Sequence, residues 1–203
     1  MKKIILILFT LMLLTGSLFS QSIGVFGGYG SSAYGDDFAD DFDQAKYIPV
    51  GAFVLFGSGS SFEIGGEINY AVTPFTFESE FGDLKLNQLY YGALAKFKFG
   101  SGRGILPYVR GGAGLYTGTM EFDFSDEANA YGLEDAEFDL KNAFGFNVGG
   151  GIEIGMRQND GFFAEFVYHI VDRELGADDT EQEENESFSA NNWAIHVGVS
   201  FGL

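Results

Sequence analysis

The 203-residue sequence contains no cysteine, only 3 prolines and only 2 histidines. The lack of cysteine excludes disulfide bonds, a thiol nucleophile, a cysteine-ligated metal and a lipid-modified cysteine. The low proline content leaves β-sheet ladders largely uninterrupted. Basic residues are also scarce, with 11 against 29 acidic residues and a formal net charge of −18. Because phosphate contacts need a basic face, this composition argues against DNA or RNA as a partner.

Long apolar runs are confined to the N-terminus. Lys2 and Lys3 precede an apolar stretch over residues 4–14, and small and polar residues then lead to a cleavage position before Gln21. This order is typical of a secretory signal peptide. The alternative, a transmembrane anchor, needs about 18–20 apolar residues. We therefore expect residues 1–20 to be a signal peptide and residues 21–203 to form one domain.

Residues 143–156 show the clearest periodicity in the chain. Bulky apolar residues such as Phe144, Phe146 and Ile152 occupy the even positions, whereas small or polar residues such as Asn147 occupy the odd ones. A period of two indicates a β-strand with one large apolar face. A tilted strand of about 9–11 residues spans the hydrocarbon core of a bilayer, and this stretch is long enough to do so.

The same alternation recurs along the chain and predicts eight strands. They cover residues 21–30, 47–56, 61–72, 87–99, 106–117, 143–156, 162–171 and 191–203. Long connections alternate with short ones, and the four long loops (31–46, 73–86, 118–142 and 172–190) contain 24 of the 29 acidic residues. In an antiparallel barrel with an even strand number, all long loops lie at one rim. The sequence therefore predicts an all-β, eight-stranded antiparallel up-and-down transmembrane barrel with four acidic extracellular loops.

The large apolar face distinguishes a membrane barrel from a soluble one. A soluble barrel keeps its bulky residues inside, whereas a membrane barrel turns them towards lipid. The other face of these strands is mostly glycine, alanine, asparagine and serine with a few charges, which suits a narrow interior. Four aromatic residues near strand ends are expected in the girdles at the membrane interfaces: Tyr47, Tyr70, Phe99 and Trp193.

These alternating strands, the segment PYVRGGAGLY (residues 107–116) and the apolar final strand resemble a known family. It is the small outer-membrane β-barrel family of Gram-negative bacteria, of the OmpA/OmpX type. The resemblance implies export through the signal peptide and residence in the outer membrane. Such barrels usually end in an aromatic residue, whereas Phe201 is followed here by Gly202 and Leu203.

The alternation turns a set of charged residues towards the lumen. The predicted lumenal charge network comprises Glu63, Glu67, Lys96, Lys98, Arg110, Glu153, Glu165 and His169. A dry interior does not hold unpaired charge, so acids and bases are expected to pair across strands. We expect a salt-bridge plug, because eight strands leave little open lumen. The alternative interpretation is a narrow or gated ion path.

Metal binding and catalysis find little support in the sequence. Glu165, His169 and His196 could ligate a metal, but Glu165 and His169 lie about 13 Å apart along one strand. Polar packing is the simpler expectation, with no metal and no cofactor. Some small outer-membrane barrels resemble lipid A deacylases or palmitoyl transferases, and a deacylase would need a serine beside a histidine. The family-like pattern His-x-Ser-Asn follows neither histidine, so we expect no enzymatic activity.

The acidic loops are the remaining candidate sites. Residues 36–43 and 177–186 could recruit Ca²⁺ or Mg²⁺ through carboxylate oxygens, but neither has EF-hand spacing. They could instead form a solvated, self-repelling surface, or divalent ions could bridge them to lipopolysaccharide. Phe122, Phe124 and Phe138 suggest strands that protrude beyond the membrane, and such an edge could add a strand from a partner protein.

Taken together, these features predict a monomeric outer-membrane barrel with a structural or surface-interaction role, in adhesion or envelope integrity. A narrow channel or small-solute porin is the first alternative, and a lipid A-modifying enzyme is the second.

Overall fold

The computed structural model describes residues 21–32, 46–58, 60–73, 75–79, 82–100, 104–124, 136–157, 160–174 and 187–203. The predicted signal peptide and most of each long acidic loop lie outside these ranges. Within the described residues, no helix is long and apolar enough to cross a membrane.

Ten β-segments make up the described chain. They are β1 (Gln21–Ser32), β2 (Lys46–Phe56), β3 (Phe62–Thr73), β4 (Phe75–Ser79), β5 (Gly82–Lys98), β6 (Gly104–Phe124), β7 (Ala136–Arg157), β8 (Asp160–Glu174), β9 (Ser187–Ser189) and β10 (Asn192–Gly202). β4 pairs with β5 beyond the end of β3, and β9 pairs with β8 beyond the end of β10. The ten segments therefore form eight barrel strands, as predicted.

Pairing of β10 with β1 closes the barrel. The antiparallel register runs from Ser22 opposite Gly202 to Ser32 opposite Asn192, and β10 also pairs with β8. Closure matters because lipid offers no hydrogen bonds to an exposed sheet edge. The short turns contain glycines with positive φ, including Gly57 (87°) and Gly100 (131°), a backbone conformation that other residues rarely adopt.

The two faces of the barrel wall differ as the alternation predicts. On β7, Phe144 is 60% exposed and Val148 54%, whereas Asn147 is 3% and Glu153 4%. The outward residues from Phe144 to Met156 cover roughly 40 Å along the strand. A strand tilt of about 40° reduces this to roughly 30 Å, which matches the hydrocarbon core of a bilayer.

Three strands continue beyond this apolar belt. β5, β6 and β7 have 17, 21 and 22 residues, and their ladders extend to Gly82 opposite Phe124 and Phe122 opposite Ala136. The prediction that residues 73–86 and 118–142 are loops was therefore wrong for much of both segments. Their many acidic residues are typical of loops, yet they alternate with apolar ones. The protruding strands suggested by Phe122, Phe124 and Phe138 are confirmed.

Above the belt the outward side chains become polar. Leu115 is the last exposed apolar residue among those of β6 whose exposure the structure describes, and Thr119 and Glu121 follow it on the same face. The Asn87 amide of β5 donates hydrogen bonds to Glu121 Oε1 (3.0 Å) and Thr119 Oγ1 (3.4 Å). We call this surface the outer polar extension. It comprises Lys85, Asn87, Thr119, Glu121, Asp139 and Lys141.

Tyr47 does not belong to an interfacial girdle as predicted. Its side chain is 4% exposed and lies inside the barrel, where its hydroxyl donates to Asn192 Oδ1 at 2.8 Å. β2 is apolar on both faces, so alternation alone does not show which face meets lipid. Tyr70 and Phe99 are exposed, at 44% and 56%, and the ring of Trp193 stacks against Phe166 on the outer surface.

The lumen also contains larger side chains than predicted. A buried apolar cluster fills the half nearer the short turns, and its members are Phe26, Phe53, Leu55, Leu94, Tyr108 and Phe163. Phe53 and Phe163 pack with ring centroids 5.5 Å apart. The glycines of neighbouring strands make room for these rings. A Cβ at Gly24, for example, would lie 2.1 Å from the Phe53 ring.

Val148→Lys places a charge near the middle of the lipid-facing belt. We expect it to lower the free energy of unfolding by about 2–4 kcal/mol. Asn142→Lys on the same strand lies above the belt and is expected to cost less than about 1 kcal/mol. Denaturant unfolding in lipid vesicles measures the free energy of unfolding of both variants. The fluorescence of Trp193, the single tryptophan, reports the transition. Equal losses would contradict this position of the belt.

Candidate functional site

The charged residues of the lumen form two groups, and the first lies near the short turns. Lys96 Nζ is 2.6 Å from Glu153 Oε2, and Lys98 Nζ is 2.9 Å from both Glu153 Oε1 and Glu63 Oε1. We call these four residues the lower ion layer. All are less than 9% exposed. The layer joins β3, β5 and β7, and it contains equal numbers of positive and negative charges.

The second group surrounds Arg110 at the centre of the barrel. Arg110 Nη1 is 2.6 Å from Glu165 Oε1, and Arg110 Nη2 is 2.5 Å from Glu67 Oε2. His196 Nδ1 is 3.1 Å from the same Glu165 oxygen. We call Glu67, Arg110, Glu165 and His196 the central ion layer. The planar guanidinium reaches a carboxylate on each side, which suits arginine better than lysine.

Tyr108 connects the two layers. Lys96 Nζ lies 3.8 Å from the centroid of the Tyr108 ring, a geometry that favours a cation–π interaction. The Tyr108 hydroxyl donates to Glu165 Oε2 at 2.8 Å. Tyr108 also belongs to the apolar cluster. Charges, rings and aliphatic side chains therefore occupy the lumen together.

His169 lies in a different setting from the other predicted lumenal residues. It is hydrogen-bonded through Nδ1 to the Tyr116 hydroxyl at 2.9 Å, and its ring meets those of Tyr90 and Tyr116 edge-on. The structure thus brings the seven charged residues of the predicted network into ion pairs and places His169 in an aromatic layer with Tyr90 and Tyr116.

His196 and Tyr108 contact the charged residues but are absent from the predicted charge network. The sequence predicts His196 only as a metal ligand or as polar packing, because the long connection before β10 leaves its register unknown. The structure sets His196 directly opposite Glu165. Alternation predicts Tyr108 on the lumenal face, but a tyrosine carries no charge that would mark it as a network member.

Glycines of β5 and β6 allow the polar side chains to approach the wall closely. A Cβ at Gly112 would lie 2.7 Å from Asn147 Nδ2, and one at Gly92 would lie 2.6 Å from the Tyr90 hydroxyl. Asn147 Oδ1 accepts from Arg110 Nη2 at 3.4 Å. The small residues of the lumenal face therefore accommodate the large polar ones.

The described residues offer no metal centre: no group of three or more histidine, aspartate or glutamate side chains among them is arranged to hold an ion. The hydrogen bonds that the structure shows for His169 and His196 go to Tyr116 and Glu165. Neither contact provides the serine–histidine pair that a deacylase would need.

The sequence matches a family of known β-barrel proteins. Residues 5–201 match the family described as outer membrane protein beta-barrel domain. This chain belongs to that family. The family and the closed barrel place the protein in the outer membrane of Gram-negative bacteria. In such barrels the short turns face the periplasm and the longer loops face outwards, so the outer polar extension lies on the extracellular side.

Two solved structures illustrate the shared fold. Neisserial surface protein A has a TM-score of 0.57 and 14% sequence identity, covering 89% of this chain and 95% of that chain. OprG from Pseudomonas aeruginosa has a TM-score of 0.55 and 14% identity, covering 91% of this chain and 97% of that chain. At these identities the likeness shows the fold alone. No curated protein matches the sequence.

Arg110→Met removes the guanidinium that pairs with both Glu67 and Glu165 and leaves these two buried carboxylates without it. We expect it to lower the free energy of unfolding by about 3–5 kcal/mol. Adding Glu67→Gln and Glu165→Gln removes the uncompensated charges and should restore part of that loss. Urea unfolding of the refolded wild type, the single variant and the triple variant compares their free energies of unfolding. A triple variant no more stable than Arg110→Met would contradict the pairing.

Gly112→Val inserts a side chain where the Asn147 amide lies. We expect a loss of about 1–3 kcal/mol from overpacking. Gly111→Val is the matched control, because a Cβ at Gly111 would meet nothing closer than 3.8 Å. The same unfolding measurement compares them, and equal stabilities would show that the lumen accommodates the added volume.

Proposed function

We propose that this barrel is a non-enzymatic surface protein of the outer membrane whose outer polar extension contacts the lipopolysaccharide layer, partly through divalent cations. Its role would be in envelope integrity and surface contact. The observation that carries this proposal is the continuation of β5, β6 and β7 beyond the apolar belt, with a polar, carboxylate-bearing outer face.

The depth of the extension favours lipid headgroups as the partner. Thr119 and Glu121 follow the exposed Leu115 of β6 on the same face. Side chains at this level meet the phosphate-rich headgroups rather than the acyl chains. Lysines bind phosphates directly, whereas carboxylates need a cation between them and the anion. Lys85 and Lys141 could supply the first type of contact, and Glu121 and Asp139 the second.

The edge of β7 offers a second kind of contact at the same place. The ladder between β7 and β8 ends at Gly145 opposite Val171, while β7 continues to Ala136 beside β6. In the described part of the chain, this outer portion of β7 pairs on one side. Such an edge can accept a strand from a surface protein. A protein partner is therefore the alternative occupant of the extension.

The filled lumen argues against bulk transport as the main role. Two ion layers, the apolar cluster and the aromatic layer occupy an interior that eight strands make just wide enough for side chains. A narrow channel would require these groups to separate. The surroundings of the two histidines, whose hydrogen bonds go to tyrosine and glutamate, support the proposal of a non-enzymatic protein.

Mg²⁺ tests the contact with lipopolysaccharide. We expect Mg²⁺ to raise the thermal unfolding midpoint of the barrel in vesicles that contain lipopolysaccharide, but not in phosphatidylcholine vesicles. The double change Glu121→Gln and Asp139→Asn should reduce that shift. Asn142→Gln, also exposed above the belt, serves as the matched neutral control. An Mg²⁺ effect that is the same in both vesicles and all variants would contradict the proposal and favour a protein partner.

Single-channel recording tests the plugged lumen. We expect the refolded wild-type barrel to show no steady conductance in planar bilayers, because the ion layers fill the path. Steady wild-type conductance that vanishes on Arg110→Ala or Glu153→Ala would show instead that these residues line an ion path, and the channel alternative would then replace the plug.

A further inference from the structure

The buried charges of the lumen do not balance. Among the described residues, the buried cations are Lys96, Lys98 and Arg110, and the buried carboxylates are Glu63, Glu67, Glu153 and Glu165. The lower ion layer contains two of each. The imbalance therefore lies in the central ion layer, where Arg110 alone faces Glu67 and Glu165.

An uncompensated carboxylate at this place is costly. The side chains of Arg110, Glu67 and Glu165 are 2%, 0% and 3% exposed, so water screens the excess charge poorly. Burying an unpaired ion costs several kcal/mol, and such groups usually take up or release a proton instead. If His196 is neutral it adds no positive charge. Arg110, Glu67 and Glu165 then give the layer one net negative charge.

Two atoms in the layer are positioned to take a proton without breaking an observed contact. Glu67 Oε1 is buried and has no hydrogen-bond partner, because Arg110 binds the other oxygen. His196 is 0% exposed. Its Nδ1 faces Glu165 Oε1, and its Nε2 has no partner. A carboxylate only accepts hydrogen bonds, so the Nδ1 contact places a hydrogen on Nδ1. Protonation of Nε2 would then complete an imidazolium.

We propose that the central ion layer, as a cluster of Glu67, Arg110, Glu165 and His196, is a proton-binding site that holds one dissociable proton when the barrel is folded at neutral pH. The proton makes the layer electrically neutral. The ring of Phe26 stacks on His196 at 4.3 Å and shields one side of the site. The proton belongs to the coupled cluster rather than to one residue alone.

Titratable groups on the other strands also face this lumen. β2 contributes Tyr47, β3 Glu63 and Glu67, β5 Tyr90, Lys96 and Lys98, β6 Tyr108, Arg110 and Tyr116, β7 Glu153, and β8 Glu165 and His169. The lower ion layer is internally balanced, and tyrosine side chains are ordinarily uncharged at neutral pH. The ring of His169 contacts Tyr90 and Tyr116. Arg110 is therefore the residue of this set that compensates charge in the central layer.

Spectroscopy of the refolded wild-type barrel tests the site directly. The chain has two histidines, so ¹⁵N spectra of labelled histidine contain two ring systems, and a His169→Gln sample assigns that of His196. Infrared spectra report protonated carboxyl groups, and a Glu67→Gln sample identifies the Glu67 band. At neutral pH we expect either an imidazolium at His196 or a protonated Glu67. A neutral His196 ring without a protonated carboxyl band would overturn the proposal.

The dependence of stability on pH provides an independent test. Because the folded state binds a proton that the unfolded chain releases, stability should fall as pH rises, by up to about tenfold in the unfolding equilibrium constant per pH unit. In Glu67→Gln, Arg110 and Glu165 balance without a proton, so this part of the slope should disappear. Asp172→Asn on β8 removes an exposed carboxylate outside the lumen and outside the outer polar extension, and it should keep the wild-type slope.

The comparison between the two variants decides the outcome. Each must first show the folded, heat-modifiable form in gel electrophoresis, so that loss of folding is not mistaken for loss of the proton site. A Glu67→Gln slope equal to those of wild type and Asp172→Asn would show that the layer holds no proton.

Discussion

The closed ladder of backbone hydrogen bonds is the constraint on which the rest of the structure depends. In the hydrocarbon core an unpaired N–H or C=O group costs several kcal/mol, so β10 must return to β1. Once the sheet is closed, each side chain within the hydrocarbon core points either to lipid or to the lumen. The apolar belt and the charged interior are therefore two consequences of one ring of strands.

The narrowness of that ring then determines the chemistry of the lumen. Eight strands enclose a space that side chains fill, so charges placed inside meet one another rather than water. Arg110 and the two lysines consequently find carboxylates within 3 Å. The same confinement makes the single excess carboxylate of the central ion layer significant, since a wider, water-filled barrel would screen it. Large rings occupy the remaining volume wherever glycine on a neighbouring strand leaves room.

Outside the membrane the constraint on the outer face changes from lipid to water and headgroups. β5, β6 and β7 keep their ladders beyond the belt while their outward residues turn polar. This change explains why acidic segments that resemble loops are partly strands. On β7 the exposed positions are even in the belt, whereas beyond it Asp139 is exposed and Leu140 is buried. A register shift between Tyr116 and Gly118 accompanies this change.

The sequence by itself determined the number of strands, the lipid-facing set on nearly all of them and the membrane in which the barrel lies, because a period of two combined with bilayer-length strands has few other solutions. It also identified the seven charged lumenal residues. Only the tertiary structure decided which of them meet. Arg110 on β6 reaches β3 and β8, and Lys96 on β5 reaches β7, so each contact crosses an intervening strand. Such contacts depend on the stagger and closure of the whole barrel, as do the place of His196 opposite Glu165 and the inward side of Tyr47, where alternation is ambiguous.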